Sequence, residues 1–204
     1  MSELKQLYAE IARCQKCEIA KLRTRTVPGE GAENAEILFI GEAPGFHEDQ
    51  QGRPFVGAAG QFLDRLLTSI NLKRDQVYIA NVIKCRPPGN RDPLPEEISN
   101  CRHWLDRQIA LLSPKMIVTL GRYSMAMFFP GKTISKIHGT AQTENGVIHF
   151  AMYHPAAALH QQALRKELEA DIKKIPAILA QSKAAANPPP PPEPQLKQLN
   201  LFEV

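Results

Sequence analysis

Residues 36–45 read EILFIGEAPG, a short apolar run closed by two glycines around a proline. A run this short, from Glu36 to Ile40, has the length of a buried strand, and the Gly-Glu-Ala-Pro-Gly turn stops it. The same grammar continues downstream. Gly57–Ile70 places Phe62, Leu63, Leu66, Leu67 and Ile70 at helical spacing, and Val77–Ile83 reads as the next strand. Asp92-Pro93-Leu94-Pro95 opens a helix over 96–112 with proline in its first turn and Ile98, Cys101, Leu105, Ile109 and Leu112 on its apolar stripe. Met116–Leu120 is a third strand, closed by Gly121 and a short helix through Phe129, and Val147–Met152 is a fourth. A last amphipathic helix carries Leu164, Leu168, Ile172 and Ile175 until Pro176 bends or ends it. Strands alternating with helices predict an α/β domain with a parallel sheet covered on both faces. Ligands of such sheets bind beyond the carboxyl ends of the strands. Those ends are GEAPG, Asn81–Cys85 and Tyr153-His154-Pro155.

The chain has 204 residues, 43% hydrophobic and 23% charged, which suits one folded domain with an appendage. No run is long and apolar enough for a membrane span, and the first residues, MSELKQLYAEIARC, lack the apolar core of an export signal. A cytoplasmic, nucleoid-associated monomer is expected. The formal charge of +4 permits an anionic partner such as nucleic acid without demanding one. Six of the seventeen prolines fall at Pro188–Pro192 and Pro194, in a stretch too polar to build a core. The chain therefore divides into a domain over 1–181 and a disordered tail over 182–204. Lys183 and Lys197 cancel Glu193 and Glu203 there, so the net charge belongs to the domain.

Four cysteines stand out. Cys14 and Cys17 form a polar, basic-flanked C-x-x-C that is poor core material; Cys85 and Cys101 follow far downstream. Disulfides are not expected without an export signal. Cys101 alone fits a core position on its helix. Together the four thiols suit one tetrahedral ligand set, and spacing leaves zinc, an iron–sulfur cluster and a redox dithiol open.

The strand ends carry a second constellation. Phe55, following a proline on a loop that enters a helix through Gly57 and Gly60, is either a core ring or an aromatic at a pocket rim. Asn81 interrupts an apolar strand, and a buried amide without partners costs about 1–3 kcal/mol. It either braces a loop or reads the edge of a nucleobase, since an amide donates and accepts together. His154 precedes a proline at a third strand end.

Taken in order, Cys14-x2-Cys17, GEAPG, GRPFVGAAGQFLDRLL, YIANVIKCRPPGNRDPLPEEISNC and YHPAAAL resemble the family 4 uracil-DNA glycosylases over residues 10–181. The resemblance implies a three-layer sandwich around a four-stranded parallel sheet. It implies a [4Fe-4S] cluster on Cys14, Cys17, Cys85 and Cys101, read here as a pin for the 85–101 loop. It implies base-excision repair: hydrolysis of the N-glycosidic bond of uracil in DNA after the nucleotide is flipped out of the stack. Phe55 then stacks on uracil, Asn81 hydrogen-bonds its polar edge, and His154 and the backbone of Gly41, Glu42 and Ala43 stabilise the departing anion. Better-known glycosylases have an aspartate where this chain has Ala43, so Glu42 is the candidate to orient water, with Glu48 and Asp49 in reserve. A subgroup that bonds covalently to its product has a basic loop ending in histidine; residues 86–100 contain none, and ordinary turnover is expected. His138 either contacts phosphate or caps a loop, and Leu159–Gln162 is a candidate wedge for the space the base vacates. The competing readings are a glycosylase for another altered base and a non-catalytic iron–sulfur DNA-binding module.

Gln198, Leu199, Leu201 and Phe202 resemble the Q-L-x-L-F peptide by which bacterial proteins bind the replicative sliding clamp. Residues 182–197 before it reach at most roughly 50–60 Å when extended. The clamp is therefore an expected partner beside uracil-containing DNA.

Overall fold

The strand of EILFIG, Ile37–Gly41 (β2), lies inside the sheet with every residue buried. The structure is a computed structural model that describes residues 2–186. β2 pairs in parallel with Tyr78–Asn81 (β3) on one side and Met116–Leu120 (β4) on the other. β4 pairs in parallel with Val147–Met152 (β6). Two antiparallel edge strands, Glu30–Gly31 (β1) and Ala141–Glu144 (β5), complete the order β1-β3-β2-β4-β6-β5.

Alternation along β2 divides the molecule into layers, because successive side chains leave a strand on opposite faces. Ile37 and Phe39 join one apolar cluster with Phe62, Leu63, Leu66 and Leu67 of the helix Ala58–Ser69. Leu168 and Ile172 of the helix Gln162–Ile172 pack into the same cluster. Leu38 and Ile40 join the other cluster, with Leu4, Leu7 and Ile11 of the helix Glu3–Ala12 and Trp104, Leu105 and Leu112 of the helix Pro95–Leu112. These four helices are α3, α7, α1 and α4 in chain order; the others are Phe46–Gln51 (α2), Arg122–Phe128 (α5), Ile134–Ile137 (α6) and Ile175–Ala186 (α8). The result is the expected three-layer α/β sandwich. No helix among the described residues is long and apolar enough to cross a membrane.

The sheet departs from expectation in its strand number, six instead of four. The four parallel strands are the anticipated ones, and the additions are edges. β5 (AQTE) is exposed throughout and offers no apolar signal. It is the outer half of a hairpin turned by Asn145 and Gly146, both at positive φ (50° and 80°), a pairing that suits a tight two-residue turn. β1 is two residues long. The second strand is also shorter than VYIANVI. β3 ends at Asn81, and the next two amides turn onto the GEAPG loop: Val82 N donates to Gly41 O at 3.0 Å and Ile83 N to Glu42 O at 3.2 Å. Asn81 terminates its strand instead of interrupting it. Pro176 sits in the first turn of α8, where a missing N–H costs nothing. α8 runs on to Ala186, past residue 181, and the clamp-like residues Gln198, Leu199, Leu201 and Phe202 lie outside the described residues.

Candidate active site and cysteine centre

The carboxyl ends of β2 and β3 and the segment after β6 open onto one cavity of about 370 Å³, lined by Glu42, Ala43, Glu48, Phe55, Asn81 and His154 among others. Its size lies in the range of small-molecule sites. Gly41 forms the junction beneath it. A Cβ there would lie 2.4 Å from Asn81 Oδ1 and 2.6 Å from Phe55 Cζ, so only glycine lets the two walls meet.

Phe55 is both things the sequence offered as alternatives. It lines the cavity, is only 6% exposed, and belongs to the α3-side core. Its ring stacks on that of His154, with centroids 5.6 Å apart and planes at 29°. Its backbone is held at φ +52°, a left-handed conformation that costs a non-glycine residue about 1–3 kcal/mol and persists only when surroundings enforce it. The enforcement is visible. Arg74 Nη1 donates to Phe55 O at 3.2 Å and to Asp64 at 3.1 Å, and its Nη2 donates to Pro54 O. Gly60 lies against the same peptide, where an added Cβ would lie 1.8 Å from Phe55 O.

Asn81 is 2% exposed, and its Oδ1 is buried without a hydrogen-bond partner among the described residues. An acceptor left in this condition at a cavity wall has an unfilled demand for a donor. The backbone carbonyl of Asn81 is occupied: the ammonium of Lys84, itself 1% exposed, donates to it at 2.7 Å.

His154 is half-buried, and the desolvation of its ring pulls the imidazole down to about 4, with Glu48 nearby opposing the shift. Ala156 N donates to its Nδ1 at 3.1 Å, so that nitrogen carries the lone pair and the neutral ring carries its proton on Nε2. Glu42 moves the other way. Burial and the neighbouring Asp92 carboxylate push it up to about 7, while Arg122 pulls it down. Its carboxylate has no hydrogen-bond partner among the described residues.

The reserve carboxylates are committed elsewhere. Glu48 Oε1 accepts from Val56 N and Gly57 N, both at 2.9 Å, and Oε2 accepts from Gly45 N at 3.1 Å. It thereby ties the start of α2 to the entry of α3 across the cavity wall. Asp49, 2% exposed, accepts from Thr24 N at 2.9 Å and Arg25 N at 3.4 Å and anchors that segment. His138 is engaged by Asp171, with Nδ1 2.7 Å from Oδ2, and its ring leans on Tyr153. Leu159, at the end of the 3-10 turn Pro155–Leu159 that follows His154, is 44% exposed.

Behind β3 the four cysteines gather. None is in a disulfide. All four line one small cavity together with Ile11, Ile19, Lys84 and Trp104. Three of the sulfurs receive N–H donors: Cys85 from Arg23 Nη1 at 3.3 Å, Cys14 from Trp104 Nε1 at 3.4 Å and Cys101 from Lys84 N at 3.3 Å. Burial raises the thiols of Cys17, Cys85 and Cys101, the last to about 11. Among the described residues no group of three or more His, Cys, Asp or Glu side chains is arranged to hold a single metal ion.

Sequence reading missed Glu48 as a brace, Arg74 behind Phe55, and the Asp92–Arg122 ion pair beside Glu42. Only the first had a local signal, the three-residue spacing of a helix-capping carboxylate from Gly45 to Glu48. The other two join residues far apart in sequence.

Comparison with known proteins places the chain in a family. A family model described as the uracil DNA glycosylase superfamily matches residues 28–175. The chain is 50% identical over 185 residues to a type-4 uracil-DNA glycosylase of Sulfurisphaera tokodaii, covering 86% of this chain and 84% of that one. It is 47% identical over 184 residues to one of Archaeoglobus fulgidus, covering 86% and 92%, and 45% identical over 190 residues to one of Saccharolobus solfataricus, covering 88% of each. With the strand-end cavity, the open amide of Asn81 and the four gathered cysteines in place, the chain belongs to the uracil DNA glycosylase superfamily, among its type-4 members.

Proposed function

We infer that the protein hydrolyses the N-glycosidic bond of uracil in DNA and leaves an abasic site, the activity named for its relatives. The observation that carries this reading is the unpartnered Asn81 Oδ1 at the wall of a base-sized cavity. Uracil supplies the missing donor in its N3–H. Cytosine presents an acceptor at that ring position, so two lone pairs would face each other and binding would fail.

In this reading the extruded uracil packs on Phe55 and Asn81 holds its N3–H and O4 edge. The neutral imidazole of His154 donates its Nε2 proton to O2. As the C1′–N1 bond breaks, negative charge collects on the base and positive charge on the sugar. The hydrogen bond from His154, with the amides of the Gly41–Ala43 turn, stabilises the first. The carboxylate of Glu42 stabilises the second and takes a proton from the water that adds to C1′. Glu48 positions the loops and moves no proton.

The four cysteines fit an iron–sulfur cluster better than a lone zinc. They share one cavity, three receive the N–H donors that thiolates need, and among the described residues no three His, Cys, Asp or Glu side chains suit one ion. Cys14, Cys17, Cys85 and Cys101 would hold a [4Fe-4S] cluster, which when bound would cross-link the segment after α1, the segment after β3 and α4. The role of Gln198, Leu199, Leu201 and Phe202 in clamp binding rests on sequence alone.

On single-stranded and duplex oligonucleotides each carrying one altered base, the protein generates alkali-labile abasic sites at uracil. Chain lacking residues 198–202 does the same but no longer retains a bacterial clamp in pull-down. Abasic product from no base, or only from bases other than uracil, contradicts the assignment. Protein purified without oxygen contains iron and acid-labile sulfide; stoichiometric zinc without iron contradicts the cluster. Glu42 works as a carboxylate, so kcat/KM rises with pH through about 7 and then levels, while His154, at about 4, contributes no limb. Glu42→Gln removes that limb and lowers kcat by about 10²–10⁴-fold. A limb that persists in the variant contradicts the role. The same shift has a stability cost: between 4.5 and about 7 the unfolded chain releases this proton before the folded one, so stability falls as pH rises through that window.

A further inference from the structure

The substrate is a polymer, so whatever stands at the mouth of the uracil cavity must meet the nucleotides on either side of the extruded one. Phe46 stands there. It follows Gly45, a lining residue, at the first position of α2, yet half of it (50%) is open to solvent. Across the mouth, Arg86 precedes Pro87, another lining residue, and its guanidinium lies 5.1 Å from the centre of the Phe46 ring. Arg86 is itself steadied by Asn90, which lines the cavity and accepts from its Nε at 2.6 Å. Its two terminal nitrogens have no hydrogen-bond partner among the described residues. His47 meets the Phe46 ring edge-on, with centroids 5.5 Å apart. Neither apolar layer of the sandwich includes Phe46, so its exposed ring does no core packing.

We propose that Phe46, backed by Arg86, is a stacking subsite for the nucleobase adjacent to the extruded uridine. The ring offers a face to any base, because every base has one, while the free end of Arg86 lies within the field of the flanking phosphate. The subsite thus favours unstacked, single-stranded flanks without reading their sequence. It rests on the uracil-excision reading and extends it from the reacting base to its neighbour.

The test uses full-length protein and short single-stranded oligonucleotides with one uracil, in which either flanking nucleotide is replaced by a tetrahydrofuran spacer that keeps the phosphate and removes the base. For wild-type protein, one of the two replacements raises KM by roughly tenfold, the scale of one base–aromatic stack, and leaves kcat unchanged. Phe46→Ala raises KM by the same factor on the intact strand and has no further effect on that spacer substrate. Phe46→Trp restores the wild-type KM. An unchanged KM in Phe46→Ala overturns the subsite, as does an equal loss on the intact and spacer substrates. Failure of the wild-type protein to release uracil from any strand would instead overturn the activity itself, so the two failures are distinguishable.

Discussion

The absence of a side chain at position 41 is the constraint on which the site depends. β2 ends there, and the space a Cβ would take is filled from two sides by the amide of Asn81 and the ring of Phe55. Any other residue would drive these groups apart and open this wall of the cavity. The rest of the local structure serves to hold them together. Phe55 stays in its left-handed conformation because Gly60 admits its carbonyl and Arg74 binds that carbonyl and the preceding one. Glu48 gathers three backbone amides from the loops that enter α2 and α3. Strain at Phe55 is thus balanced by bonds outside the cavity, while the Oδ1 of Asn81, packed over Gly41, has no hydrogen-bond partner among the described residues.

Two titratable groups in the same cavity are pushed toward opposite uses. Burial keeps His154 neutral and able to donate from Nε2, while burial and Asp92 bring Glu42 close to neutrality on the pH scale. The cysteine cavity lies directly behind this machinery. Lys84 bridges the two: its ammonium holds the Asn81 carbonyl, and its backbone N–H meets Cys101 Sγ. Whatever fixes the cysteines therefore also fixes the end of β3.

What could be read from the sequence was set by how local each signal is. The four parallel strands and the helices over 58–69 and 95–112 follow from runs and stripes of apolar residues. β5 did not, because its four residues face solvent; the Asn145-Gly146 turn was its only trace. Glu42, Asn81, Phe55 and His154 could be named because each stands at a strand end or loop start, and the structure brings all four to one cavity. Their supports could not. Arg74 reaches Phe55 across the whole of α3, and the Asp92–Arg122 pair that flanks Glu42 spans β4. Glu48 and Asp49 were readable as carboxylates near a pocket but not as occupied ones, since backbone amides from distant segments satisfy them.

In the proposed reaction the open amide of Asn81 accepts the N3–H of uracil. Product inhibition measures this directly, with free uracil and 3-methyluracil compared as inhibitors of excision by wild-type protein and by Asn81→Ala. The account predicts that wild-type protein is inhibited at least about tenfold more weakly by 3-methyluracil, the scale of a lost buried hydrogen bond with its acceptor left unpaired. It also predicts that Asn81→Ala no longer distinguishes the two. Equal inhibition of the wild-type protein by both bases would contradict it.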